Sequence, residues 1–455
     1  MSSQSTLGVE QLRTEVAAGA IDTVIVAITD MQGRLQGKRV HAPYFVEHVL
    51  PHGTEGCNYL LAVDVDMNTV DGYAMSSWTA GYGDFVMAHD LATLRRVPWH
   101  PGTAMVQADV VWLDGSDVVA SPRQVLKRQL ARLADAGMAA YVGTELEFIV
   151  FDDTYEDAWR SGYRGMHPAN LYNVDYSIIG TSRVEPLLRR IRLGMAGAGM
   201  TVESAKGECN FGQHEIAFLY DEALRTCDNH VVYKTGAKEI AAQEGRAITF
   251  MAKYDEREGN SCHVHLSFRG TDGSLVMADD ADEEHGLSDV GRQFIAGQLA
   301  HLRELSLLFA PNINSYKRFA PGSFAPTSVE WGRDNRTCAL RLVGGGASLR
   351  LENRVPGGDV NPYLAVAAMV AAGLDGIEKG MELRPEYTGN AYASGGERVP
   401  WQLDDAVALW SGSEWVAETF GAEVQEHYTN MGRIELEAFA RTVTDWERYR
   451  GFERL

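Results

Sequence analysis

The chain has 455 residues, 45% of them hydrophobic, which is length enough for one large core or for two domains of unequal size. Lys and Arg total 41 against 62 Asp and Glu, a net charge of −21, which argues against a surface built to neutralise nucleic-acid phosphates or anionic lipid. Five scattered cysteines (57, 209, 227, 262 and 338) with no Cys-x-x-Cys argue against a disulfide framework or a zinc knuckle and fit reduced thiols in a cytoplasm.

The N-terminus lacks a basic start followed by an apolar run, so no signal peptide is expected. "TVIVAITD", a turn at 30–33 and "RLQGKRVHA" read as a hairpin, and "MVQADVVWLDGSDVV" as strand, turn, strand. In "SPRQVLKRQLARLADAG" Ser121 stands at a cap position, Pro122 at the first helical position, and Gly137 at the end. A domain boundary is placed near 117, giving a strand-rich unit over 1–117 and a larger one over 118–455. Within the latter, helices are expected at 184–199, 221–243, 289–309 and 360–379, and strands at 201–220, 247–268, 338–343 and 348–355, with a long loop at 310–335. "PYLAVAAMVAAGL" (362–374) is too short to span a bilayer and reads as a buried helix. The acidic stretch 272–289 reads as a surface excursion.

Strands alternate their side chains between faces, so residues i and i+2 project together. In "GTELEFIVF" (143–151) that puts Glu145 and Glu147 on one face of an otherwise apolar strand. "KGECNFGQHEIAF" adds Glu208 and Glu215, "NSCHVHLSF" adds His263, His265 and Ser267, and "SLRLENRVP" adds Arg350, Glu352 and Arg354. Any one of these alone also fits a solvated strand face. Together, five carboxylates and a histidine make an oxygen-rich set for hard divalent cations, because unshielded like charges would repel. Arg318, Arg333, Arg336, Arg341, Arg350 and Arg354 crowd the same region, and Arg is the side chain for bidentate contact with phosphate and carboxylate. Phosphoryl transfer follows from that combination. No Walker loop, dinucleotide fingerprint or G-x-S-x-G elbow is present.

"GTELEF", "GECNFGQHE", "CHVHLS", "FAPNINSYKRFAPGSFAP" (309–326), "NRTCALR", "LRLENR" and "NPYLAVAAMVAAGLDGI" come in the order and spacing of a known family. The chain resembles the glutamine synthetases and their γ-glutamyl-amine ligase relatives. The resemblance implies an α+β fold: a small N-terminal β-grasp domain and a large catalytic domain of curved antiparallel strands backed by helices. It implies a homo-oligomer, usually a dodecamer of two hexameric rings, in which one subunit's N-terminal domain completes the next subunit's site. It implies ATP as co-substrate and two or more Mg²⁺ or Mn²⁺ ions. Glu147, Glu208 and Glu215 match the ligands of the first ion, and Glu145, His263 and Glu352 those of the second. Arg341 and Arg350 match arginines on the nucleotide phosphates, with His265 and Ser267 beside the nucleotide. Arg318, Arg336 and Arg354 match residues on the glutamate carboxylates and the transferred phosphoryl group; the family's Asn-Gly-Ser-Gly loop departs to "EGNSC" (258–262) here, which leaves the backbone of Gly259 for the glutamate site.

Two departures bear on the nucleophile. Ammonia-using members carry a Glu just before the Ala-Pro of the flap, where this chain has Phe324. Their Asp-Gly-Ser-Ser run is replaced by "LLAVDVDMNTVDGYAMSS", which offers Asp64 and Asp66 as proton acceptors. The expected reaction joins glutamate, activated as γ-glutamyl phosphate, to ethanolamine or a polyamine such as putrescine. The alternatives are a true glutamine synthetase using ammonia and an inactive regulatory paralogue. The paralogue is disfavoured because all six metal positions keep competent side chains.

Overall fold

The computed structural model describes residues 7–455. Two sheets organise it. The first contains β1 (Thr23–Thr29), β2 (Leu35–His41), β3 (Thr54–Cys57), β4 (Asp84–Arg96) and β5 (Thr103–Val111), in the order β2-β1-β5-β4-β3. The expected hairpin is present, with Thr29 opposite Leu35. Asp30 ties its turn together by accepting hydrogen bonds from the Gln32 and Arg34 amides at 3.0 and 2.9 Å and from Arg34 Nε at 2.7 Å. β1 and β5 run parallel, and Val24, Val26, Ile28, Val106 and Val110 pack into an apolar cluster with Leu12 of the helix Val9–Ala17. The strand expected after β5 shrinks to a single bridge, Val111 to Asp117, because the chain turns at once into the next helix.

The second sheet is built on β6 (Met138–Phe151). Around it lie β7 (Val202–Gly207), β8 (Gln213–Phe218), β9 (Asp221–Glu222), β10 (Ala247–Thr249), β11 (Cys262–Gly270), β12 (Trp331–Arg333), β13 (Leu340–Val343) and β14 (Arg350–Asn353). The order is β12-β13-β14-β11-β6-β8-β7, with β9 and β10 each pairing β6. All pairs are antiparallel except β12 with β13. The expected strand 247–268 is two strands, split by an irregular segment that brings Gly259 and Ser261 to the face of β6.

Helices cover one side. Pro362–Glu378 is the apolar run expected to be interior, and every residue from Pro362 to Gly376 is buried. It packs on the helices Asp289–His301 and Pro122–Asp135. Pro122 opens the latter as expected, but the Ser121 side chain accepts no capping hydrogen bond. The C-terminal helices between Leu403 and Gly451 lie beyond any element read from the sequence. None of the helices in the described residues is long and apolar enough to cross a membrane.

The two sheets are joined through a buried charge cluster. Arg123, 3% exposed, bonds Asp228 at 3.0 Å, Asp109 at 2.6 Å and Asp90 at 2.7 Å. Tyr363 donates to Asp228 at 2.6 Å and Lys127 to Asp109 at 2.6 Å. Asp90 and Asp109 come from the first sheet, the others from helices behind the second. Removing the central cation strands the carboxylates, so Arg123→Ala should cost about 3–5 kcal/mol. A large fall in the urea midpoint is expected; a midpoint within error of the parent would show the cluster to be energetically idle.

Candidate active site

Register assembles the site. Glu145 on β6 lies opposite His263 on β11, and Glu147 opposite Glu215 on β8. His265 lies opposite Glu352 on β14, which in turn faces Arg341 on β13. Side chains two apart share a face, so adjacent strands lay these groups out as rows on one surface. Glu208 follows β7 directly, and its amide donates to the Gln213 carbonyl at 2.9 Å, which brings its carboxylate beside Glu215.

Two ligand sets emerge on the strand face, and Asp175, Glu208 and Cys209 form a third close group at its edge. Carboxylate oxygens of Glu147, Glu208 and Glu215 lie within 4.8 Å of one another, as do ligand atoms of Glu145, His265 and Glu352. His263 belongs to the second set too, with Nδ1 3.2 Å from Glu145 and 3.3 Å from Glu352. The sequence reading put His263 on the ion and His265 beside the nucleotide; the structure brings both imidazoles to Glu145. Arg350 Nε donates to His265 Nδ1 at 3.3 Å, which makes Nε2 the protonated nitrogen donating to Glu145 at 2.9 Å. Glu147 is held by the Ser261 amide at 2.7 Å, the Ser261 hydroxyl at 2.5 Å and Gln213 Nε2 at 3.0 Å.

The electrostatics ask for cations. Burial, with the Glu145 carboxylate next in weight, raises the Glu215 pKa to about 8, opposed by Lys206 at 4.0 Å. Lys206 also pairs with Glu208. Burial works to raise Glu145 as well, but hydrogen bonds from His263 and His265 outweigh it and hold that carboxyl well below its usual range. Burial works to raise Glu352 as well, but the neighbouring His263 and the Arg354 guanidinium outweigh it and hold that carboxyl below its usual range. Burial and then Arg354 lower the His263 pKa, which favours the uncharged form of the imidazole that can bind metal. Oxygen-rich sets with one or two imidazoles suit Mg²⁺ or Mn²⁺.

Both sets open on one cavity of about 280 Å³, whose walls also carry Arg318, Arg336, Arg341, Arg354, Gly259 and Phe324. Arg341 and Arg354 grip Glu352 at 2.9 and 2.5 Å, and Arg354 donates to the Phe324 carbonyl at 3.3 Å. Arg318 is buried and donates to the Val355 carbonyl at 2.9 Å. A Cβ on Gly259 would lie 2.7 Å from Arg318 Cγ, so only glycine lets that backbone lie against the guanidinium stem. Ser267, opposite Tyr141, and Arg350 lie at the outer end of the face. Asp64 and Asp66 are not brought into this cavity. Asp64 accepts from Asn68 at 2.8 and 3.0 Å, and its neighbours include Tyr73 and Glu435. Sequence reasoning missed Asp175, Tyr176, Lys206, Gln213 and Ser261 as cavity residues, although the last three sit within motifs it quoted.

Residues 119–450 match the glutamine synthetase catalytic domain. The chain belongs to the glutamine synthetase family. It is 68% identical over 449 residues to the gamma-glutamylethanolamide synthetase GlnA4 of Streptomyces coelicolor, covering 99% of this chain and 96% of that protein. It is 35% identical to the glutamate–isopropylamine ligase of a Pseudomonas species, covering 98% of each. Among solved structures it is similar to the GmaS–ADP complex, with a TM-score of 0.85 and 29% identity over 97% of this chain and 99% of that one. The fold expected from the sequence is therefore the family's fold, with mixed rather than purely antiparallel sheets.

With a pKa of about 8, Glu215 holds a proton at neutral pH, and a divalent cation in the first set must displace it. Adding Mg²⁺ to weakly buffered protein at pH 7 should release on the order of one proton per chain, and cation affinity should strengthen as pH rises through 8. Glu215→Gln should abolish most of the release. A flat trace on Mg²⁺ addition to the parent would contradict the reading.

Proposed function

We propose that this protein is an ATP-dependent ligase that activates the γ-carboxylate of glutamate as an acyl phosphate and joins it to an organic amine. The observation that carries the reading is a complete cation and arginine face combined with Phe324 on the flap. The relative named for γ-glutamylethanolamide makes ethanolamine the first candidate amine, with putrescine and other polyamines next.

In this reading Glu147, Glu208 and Glu215 hold one divalent ion, and Glu145, His263 and Glu352 a second. The ions would neutralise charge on the transferred phosphoryl group and the nucleotide phosphates. Arg341 and Arg350, with His265 and Ser267, take the nucleotide. Arg318, Arg336 and Arg354, with the backbone of Gly259, take glutamate and orient its γ-carboxylate for in-line attack on the terminal phosphorus of ATP. ADP leaves, the amine attacks the acyl carbon, and phosphate departs.

The boundary at 117 is retained as part of the proposal, with 1–117 as an N-terminal domain and 118–455 as the catalytic one. So is the homo-oligomer, a dodecamer of two rings, in which Asp64 and Asp66 would reach a neighbour's cavity as proton acceptors. A cytoplasmic location fits the ATP requirement and the five thiols, all free in the structure.

Phe324 cannot accept a proton, whereas the flap Glu it replaces helps deprotonate ammonium. Glutamate-dependent phosphate release by the purified protein should therefore be much faster with ethanolamine or another organic amine than with ammonium at equal concentration. If ammonium proves the best nucleophile, the protein is an ordinary glutamine synthetase. If no amine supports release, it is an inactive paralogue.

A further inference from the structure

We propose that a second cavity, on the far side of β6 from the cation sets, is a binding site for a small uncharged carboxamide. The inference goes beyond the ligase reading and does not depend on it.

The cavity forms where β6 changes partners. β6 pairs β8 through Glu147, Phe148 and Ile149 and pairs β9 through Tyr141 and Val142, so on that edge residues 143–146 have no ladder partner. Beside this gap, where Phe218 and Leu219 lead from β8 to β9, a cavity of about 310 Å³ opens. Thr144 lines it and lies one residue from Glu145, so its side chain takes the opposite face of the strand. The two cavities share no lining residue.

Its buried end carries polar groups without partners. His230 and Tyr233, three apart on the helix Ala223–Gln243, both line the cavity and are 3% and 2% exposed. His230 Nδ1 is hydrogen-bonded to the Thr144 hydroxyl at 3.1 Å. His230 Nε2 and the Tyr233 hydroxyl are buried and meet no hydrogen-bond partner among the described residues. Unpaired buried polar groups are costly, so two of them facing one cavity point to a ligand that pairs them.

The chemistry of that ligand follows from theirs. Burial, with Lys234 next, pushes the His230 pKa down to about 3, and burial pushes the Tyr233 phenol well up. Both groups are uncharged at neutral pH. A carboxylate or ammonium placed against them would lose its hydration and gain no countercharge. The more exposed Asp221 and Arg225 also line the cavity, but they pair with each other at 3.1 Å. A carboxamide carries a donor and an acceptor side by side, so it pairs the phenol and Nε2 with either imidazole tautomer. Met200 and the Phe218 ring, whose centroid lies 4.8 Å from that of Tyr233, supply apolar wall for the rest of the molecule. The volume lies at the lower end of small-molecule sites, which start near about 300 Å³.

The test titrates benzamide, with benzoate as the charged isostere, into the full-length protein and follows binding by saturation-transfer NMR. Saturating Mg²⁺, ADP and glutamate are present throughout to occupy the catalytic cavity. Benzamide should bind and benzoate should not. Tyr233→Phe removes one hydrogen bond and should weaken benzamide about fivefold, equivalent to about 1 kcal/mol. Its Tm without ligand should equal or exceed the parent's, because the hydroxyl it removes has no partner. Failure of benzamide to bind, equal binding of benzoate, or unchanged affinity in Tyr233→Phe would overturn the proposal. A lowered Tm in that variant would overturn it too, by showing the hydroxyl already satisfied. Binding seen only without ADP and glutamate would place the probe in the catalytic cavity and equally refute the second site.

Discussion

Mutual repulsion among carboxylates on one face of the second sheet is the constraint on which the rest of the structure depends. Two unit charges 4.8 Å apart, the spacing within which each ligand set falls, repel by about 3–4 kcal/mol at an effective dielectric near 20. Glu145, Glu147, Glu208, Glu215 and Glu352 share one cavity, so several such terms act together. The chain offsets them in part with its own cations. Arg341 and Arg354 hold Glu352, two imidazoles hold Glu145, backbone and side-chain donors hold Glu147, and Lys206 sits on Glu208. Glu215 is left over, and its carboxyl responds by keeping its proton. A protein that only had to fold would not gather these groups. The arrangement makes physical sense as the resting form of a surface that takes divalent ions and an anionic nucleotide.

Rigidity follows from the same arrangement. β6 contributes both Glu145 and Glu147 and is paired with β8, β9, β10 and β11, so neither carboxylate can shift without breaking ladder bonds. The apolar alternates Leu146 and Phe148 anchor the other face in the core. Behind them the interior helix Pro362–Glu378 and the Arg123 cluster fix the sheet against the first one. The flap residue that departs from the ammonia-using pattern, Phe324, lies on irregular backbone in the wall of the cavity.

The legible parts of the sequence were those governed by local periodicity. The two-residue repeat put Glu145 with Glu147 and His263 with His265; the hairpin turn at 30–33, the helix opened by Pro122 and the interior helix all had local signals. Register across strands has no such signal. The sequence could not decide which imidazole meets Glu145, and cross-strand pairing brings both. β4 was missed because its alternation is interrupted by an irregularity between Asp90 and Arg95. Ser121 had the right residue type for a cap, yet local chemistry did not decide where its hydroxyl pointed. Asp175 and Tyr176 lie on neither helix nor strand, and tertiary contact with Gly207 is what brings them to the cavity. Asp64 and Asp66 carried over by resemblance alone, and within one chain they stand elsewhere.

The central claim is that this face is built for two divalent ions, one per ligand set. Counting bound Mn²⁺ by electron paramagnetic resonance during a titration tests it most directly. The account predicts two tight sites per chain in the parent, corresponding to the two sets, with one lost in Glu147→Ala and the other in Glu352→Ala. Unchanged stoichiometry in both variants, or no tight site in the parent, would contradict it.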